Sequence, residues 1–78
     1  MDIRGKVVEI LVEMLGIEAS EITDEASLIK DLGIDSLDYA ELVMEFEQNF
    51  GIKIPDEDAE KLGSVGSIVN YINGKLNK

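Results

Sequence analysis

A chain of 78 residues has room for one domain with a thin core. It is 45% apolar, too much for a disordered acidic tail, and its aromatic residues are Tyr39, Phe46, Phe50 and Tyr71, so aliphatic side chains must supply most of that core. Seventeen acidic against seven basic residues give a net charge of −10, which repels nucleic acid and anionic membranes and favours partners rich in Lys and Arg, while the lack of cysteine and histidine removes disulfides, the usual zinc ligands and every Ser-His-Asp or Cys-His arrangement.

At the start of the chain Ile3, Val7, Ile10, Leu11, Met14 and Leu15 recur at helical spacing, with Asp2 as a cap and Gly16 suited to the left-handed position past the end. Asp2 stands where a signal peptide would carry positive charge, and Glu9 and Glu13 interrupt the apolar positions, so neither a signal peptide nor a membrane span is expected and the cytoplasm is the default compartment. Residues 17 to 35 sustain no period; Ile22, Leu28 and Leu32 are spaced as anchors that pin a long loop to the core. Asp35 is a good N-cap, with Asp38 three residues on to approximate a capping box, for a second helix from Ser36 to Asn49 that Gly51 stops. Pro55 opens a short third helix, acid-rich from Asp56 and closing near Lys61, before Gly63. Val65, Ile68, Val69, Ile72 and Leu76 mark a last helix, expected to fray after Gly74 into the tail Lys75 to Lys78. The expected fold is therefore all-α, a small four-helix bundle of three main helices and one short one, with a long loop between the first two and residues 1–78 forming a single domain.

The second helix carries the most information. At about 100° per residue, Tyr39, Leu42, Val43, Phe46 and Phe50 share the face expected to meet the core. Leu37, Ala40 and Met44 fall opposite within roughly 60°, interleaved with Glu41 and flanked by Asp38, Glu45 and Glu47. Either these apolar residues tuck under the loop, as apolar residues in small bundles usually do, or they form a docking strip whose surrounding carboxylates steer a basic partner. The concentration of acid favours docking: residues 31 to 60 hold ten acidic side chains against the single base Lys53.

Just before the strip, Ser36 is placed in the first helical turn with its hydroxyl toward solvent. A phosphodiester there would lie near unsatisfied backbone N–H groups and the positive end of the helix dipole, although Asp35 and Asp38 oppose it. On position alone Ser36 is an ordinary helix-start serine. The run Asp31-Leu32-Gly33-x-Asp35-Ser36-Leu37, however, resembles the modification motif of acyl carrier proteins, whose serine receives phosphopantetheine from coenzyme A. The likeness continues through Glu41-Leu42-Val43-Met44, Ile54-Pro55-Asp56-Glu57-Asp58-Ala59-Glu60-Lys61 and Val69-Asn70-Tyr71-Ile72-Asn73, and covers nearly the whole chain.

This resemblance implies a freestanding, non-catalytic carrier of the bacterial fatty acid synthesis type. Ser36 would be the attachment residue, completed by Asp35 and Leu37. Leu37, Asp38, Ala40, Glu41, Met44, Glu47, Asp56 and Glu57 would meet the phosphopantetheinyl transferase and the acyl-processing enzymes. Phe46, Ile54, Ala59, Leu62 and Ile68 would line a pocket for the acyl chain. Other enzymes would load, extend or reduce the thioester carried on the arm. A monomer is expected, with no nucleic acid, membrane or metal partner.

Departures from the commonest fatty acid carriers are Ile34 where alanine is frequent, Gly63 and Gly66, and Gly5 inside the first helix. They make a specialised carrier for polyketide or other secondary metabolism the runner-up. A peptidyl carrier fits less well, because Asp35 stands where that family usually has a second glycine. The esterase block named for Gly-Asp-Ser-Leu is excluded by the absence of histidine and the short chain, and no segment has the ligand spacing of an EF-hand. An acidic interaction module without a prosthetic group would share the charge but would not require Ser36.

Overall fold

The computed structural model describes residues 2–77. Among them the chain forms four α-helices: α1 (Ile3–Leu15), α2 (Ser36–Phe50), α3 (Asp56–Ala59) and α4 (Val65–Leu76). A one-turn 3-10 helix, Ala19–Glu21, interrupts the long loop. This is the all-α arrangement expected, with α1 packed against both α2 and α4.

Helix α1 begins and ends where its sequence signals stand. The Asp2 carboxylate accepts the Gly5 N–H, and Gly16 at φ 66° returns its N–H to the Val12 carbonyl. Helix α2 starts after Asp35 and runs one residue further than expected, to Phe50, before Gly51 at φ 65° closes it. Of the approximate capping box, the structure shows the bond from the Asp38 N–H to Asp35 Oδ1 at 2.8 Å.

The third and fourth helices differ from expectation in length. Helix α3 is only four residues long, and the chain continues to Leu62 in turns closed by the Lys61 and Leu62 N–H groups on the carbonyls of Asp58 and Ala59. Helix α4 does not fray at Gly74 but continues to Leu76. A helical glycine costs only about 1 kcal/mol relative to alanine. Against that small loss, Asn77 holds the last turn by donating through both its N–H and its side-chain amide to the Asn73 carbonyl, each at 3.0 Å. Lys75 lies 5.5 Å over the Tyr71 ring and places positive charge at the C-terminal end, where the dipole favours it. Lys78, the end of the expected tail, lies outside the described residues.

The core is aliphatic around two phenylalanines. Val7, Leu11, Leu28, Leu42, Phe46, Val65, Ile68 and Ile72 are all less than 2% exposed. Truncating such a residue, Leu42→Ala for instance, costs about 2–5 kcal/mol through lost burial and the cavity left behind. Of the loop anchors, Ile22 and Leu28 are buried and Leu32 is half-buried against the core. Ile34 joins them at 2% exposed, so the isoleucine beside the motif is a core residue.

Backbone hydrogen bonds attach the long loop to the start of α4. Leu28 N–H donates to the Gly63 carbonyl, Val65 N–H to that of Ala26 and Gly66 N–H to that of Asp24, at 2.9–3.1 Å, with Ser27 and Ser64 forming an antiparallel bridge. A Cβ at Gly66 would lie 3.1 Å from the Asp24 carbonyl oxygen, closer than an ordinary contact, so a side chain there would need the loop to give by a few tenths of an ångström. The loop therefore reaches α2 in a fixed position, with Ser36 at its end.

Candidate functional site

The approach to Ser36 is a tight, internally bonded turn. Asp31 Oδ2 accepts the Ser27 N–H at 2.7 Å, Ser27 Oγ accepts the Lys30 N–H at 3.2 Å, and the Ile34 N–H reaches back to the Leu28 carbonyl at 3.0 Å. Gly33 sits at φ 70°, a left-handed conformation that side-chain-bearing residues rarely adopt. Buried Ile34 and capping Asp35 then fix the first turn of α2. Thus Asp31, Gly33 and Asp35 each have a local structural task, and their product is an exposed Ser36 at the first position of a long helix.

Two clefts meet at Ser36. One, of about 490 Å³, runs between α2 and α3 past Ala40, Met44 and Glu47 to Ile54 and Asp56. The other, of about 280 Å³, lies on the loop side, against Leu28, Ile29, Leu62 and Gly63. Ser36, Tyr39, Ala59 and Glu60 line both. Ser36 thus presents an exposed hydroxyl at the junction of two clefts, open to covalent modification.

The expected docking strip is on the surface. Leu37 is 70% and Met44 56% exposed, and Ala40 is exposed between them, so these residues do not tuck under the loop. Asp38, Glu41, Asp56 and Glu57 are exposed around them. Glu47 is half-buried, and its carboxylate is engaged inside the molecule, accepting the Ile54 N–H at 2.8 Å.

The five residues expected around an acyl chain separate into two groups. Ile54 lines the α2–α3 cleft, Leu62 the loop-side cleft and Ala59 both. Phe46 and Ile68, each 1% exposed, lie in the closed core and border neither cleft.

Sequence reasoning missed three residues here. Ile29 is 66% exposed at the mouth of the loop-side cleft, next to buried Leu28; an apolar pair in a non-periodic loop gives no signal of which member faces out. Glu60 borders both clefts. Tyr39 has its ring on the core face, as expected, but its hydroxyl reaches α3: it bonds the Ala59 carbonyl and lies 2.9 Å from that of Leu62. Burial raises its pKa above the ordinary tyrosine value.

Comparison with known proteins identifies the family. A family model described as a phosphopantetheine attachment site matches residues 5–72. An acyl carrier protein of Thermotoga maritima is 53% identical over 75 residues, which span 96% of this chain and 93% of that protein. The chain belongs to the acyl carrier protein family. Membership brings a covalently attached phosphopantetheine, a role in carrying acyl groups, and interaction with the enzymes that process them. Among the described residues, no helix is long and apolar enough to cross a membrane.

Proposed function

We propose that Ser36 is the residue that bears phosphopantetheine, joined through its hydroxyl as a phosphodiester, and that the chain delivers acyl thioesters to the enzymes of fatty acid synthesis. The observation that carries this reading is the position of Ser36, exposed at the head of α2 where the two clefts meet. Phosphopantetheine, when attached, supplies the thiol that holds an acyl group. Everything else is the work of the chain's own side chains.

Asp35 uses its carboxylate to cap the Asp38 N–H, which leaves the first N–H groups of α2 for an anion on Ser36. Leu37, Ala40 and Met44 present an apolar line to partner enzymes, and Asp38, Glu41, Asp56 and Glu57 surround it with negative charge that speeds encounter with basic surfaces. Glu47 supports the same face from beneath by holding Ile54. Ile54, Ala59 and Leu62 are the residues of the expected acyl pocket already at a cleft; Phe46 and Ile68 would take part if the core loosened around an entering chain. The chain offers no histidine or cysteine to form a catalytic pair, so turnover falls to the partners. A single, monomeric carrier domain over residues 1–78, working in the cytoplasm, completes the reading.

Ile34 is one ground for the alternative of a polyketide carrier, and its burial is an adequate reason for an isoleucine there under either pathway. Transfer of phosphopantetheine from coenzyme A by a broad-specificity transferase, with Ser36→Ala as the variant that must stay unmodified, tests the attachment. Turnover of the acylated protein by fatty acid synthesis enzymes, compared with polyketide synthases, tests the pathway.

A further inference from the structure

Asn73, in the last turn of α4, is followed by Gly74, whereas Asn49, Asn70 and Asn77 are followed by Phe50, Tyr71 and Lys78. In an Asn-Gly pair no side chain shields the glycine nitrogen, which, once deprotonated, is free to attack the asparagine side-chain carbonyl. Both residues are exposed, and nothing lies within 4 Å of where a Gly74 Cβ would stand. The pair is open to solvent, and what restrains it is the helix.

Attack closes a five-membered ring that turns the Asn73 ψ out of the helical range, and it needs the Gly74 N–H, which a helix commits to the carbonyl four residues back. The last turn must therefore open first. Asn77 resists that opening: its N–H and its side-chain amide both donate to the Asn73 carbonyl at 3.0 Å, and the amide also donates to Asn73 Oδ1. The bond to Oδ1 has two opposed effects. It polarises the carbonyl that would be attacked, and it holds that carbonyl to residue 77, a turn further along the helix. Because the reaction requires an open turn, the restraint prevails over the polarisation.

We propose that Asn73 is a site of spontaneous deamidation, gated by the hold of Asn77 on the last turn of α4. The Gly74 nitrogen gives up its proton and bonds to Asn73 Cγ; the bond from Cγ to Nδ2 breaks, and the amide leaves as ammonia with that proton. Water then opens the cyclic imide, its hydroxyl going to carbon and its hydrogen to nitrogen. Opening at Cγ gives aspartate, and opening at the main-chain carbonyl gives isoaspartate. Either product sets a carboxylate in the last turn, where the negative end of the helix dipole disfavours it, and isoaspartate also adds a methylene to the backbone and breaks the helical repeat. The turn so loosened contains Lys75, which lies over the ring of Tyr71, the residue that holds Asp58 of α3. The site does not involve Ser36 and is independent of the carrier reading.

The test uses the full chain beside Asn77→Ala, Gly74→Ala and Ile10→Val, the last a mild truncation in the buried part of α1. All are kept folded in mildly alkaline buffer, and product at residue 73 is followed by peptide mass and by labelling with an isoaspartate methyltransferase. The wild type should accumulate aspartate and isoaspartate at Asn73 ahead of Asn49 and Asn70. Asn77→Ala should react roughly two- to tenfold faster, the change in local opening that one lost hydrogen bond gives. Gly74→Ala should form almost no product, and Ile10→Val should keep the wild-type rate, which separates local opening from global unfolding. An Asn77→Ala rate equal to or below the wild type, an equal acceleration by Ile10→Val, or a folded wild type that reacts as fast as in urea would overturn the gate. Earlier reaction at another asparagine, or an Asn73 left intact over the time in which the urea-unfolded chain is fully converted, would overturn the site itself.

Discussion

The Tyr71 hydroxyl donates to Asp58 Oδ2 at 2.6 Å and so ties α4 to α3, a helix too short to hold its place unaided. Burial, the Asp58 hydrogen bond and charge, and the charge of Glu47 push the Tyr71 pKa up to about 12 from the ordinary 10.0. Because the folded value lies above the unfolded one, the contribution of this tether is complete below pH 10 and is lost as pH rises through 12. Urea midpoints measured across that interval should fall in the wild type and fall less steeply in Tyr71→Phe. The residual slope belongs in part to Tyr39, whose pKa burial also raises. Equal slopes would mean that the tether is absent in solution.

Two glycines of α4 should respond oppositely to alanine. At Gly66 the new Cβ would press on the Asp24 carbonyl at 3.1 Å and strain the attachment of the loop that carries Ser36. At Gly74 nothing lies within 4 Å, and only the gain in helix propensity remains. Gly74→Ala should stabilise by about 0.5–1 kcal/mol, and Gly66→Ala should destabilise by about 1 kcal/mol or more despite the same intrinsic gain. Chemical denaturation of the two variants beside the wild type checks both signs.

The main helices were readable because their signals are local. Asp2, Gly16, Asp35 and Gly51 mark the ends of α1 and α2, and the period of α2 separates buried Leu42, Phe46 and Phe50 from exposed Leu37, Ala40 and Met44. What escaped depends on distant partners. Tyr39 bonds carbonyls twenty and more residues away, in a segment with no period to reveal its course. The Ala19–Glu21 turn is too short for periodicity to register. Helix propensity alone favours fraying at Gly74, and it does not include the side chains of Asn77 and Lys75 that hold the last turn. Ser36 was readable only through its motif, since a serine at a helix start is otherwise unremarkable.

The exposed strip separates stability from recognition. Leu37→Ala and Met44→Ala remove side chains that are 70% and 56% exposed, so each should change folding stability by no more than about 0.5 kcal/mol. Turnover of the acylated variants by a partner enzyme should nevertheless fall, by roughly tenfold for a loss of about 1.4 kcal/mol in docking. Unchanged kcat/KM in both variants would remove the strip from the docking surface.

Charge should make the fold responsive to salt. The chain carries −10, and the ion pair found among the described residues, Arg4 with Asp24 at 2.8 Å, is about half exposed and contributes little. Screening of carboxylate repulsion should therefore raise the melting temperature between low and moderate ionic strength. In a domain of this size a gain of about 1 kcal/mol moves it by roughly 4–8 °C. A flat profile would show that the acids around α2 and α3 do not oppose folding.

The most direct measurement of the central claim is intact-protein and peptide mass after incubation with coenzyme A, magnesium and a phosphopantetheinyl transferase. The wild type should gain one phosphopantetheine group, located on the peptide that contains Ser36, and Ser36→Ala should gain none. A group found on another residue, retained by Ser36→Ala, or never acquired with several transferases would contradict Ser36 as the site of the carrier arm.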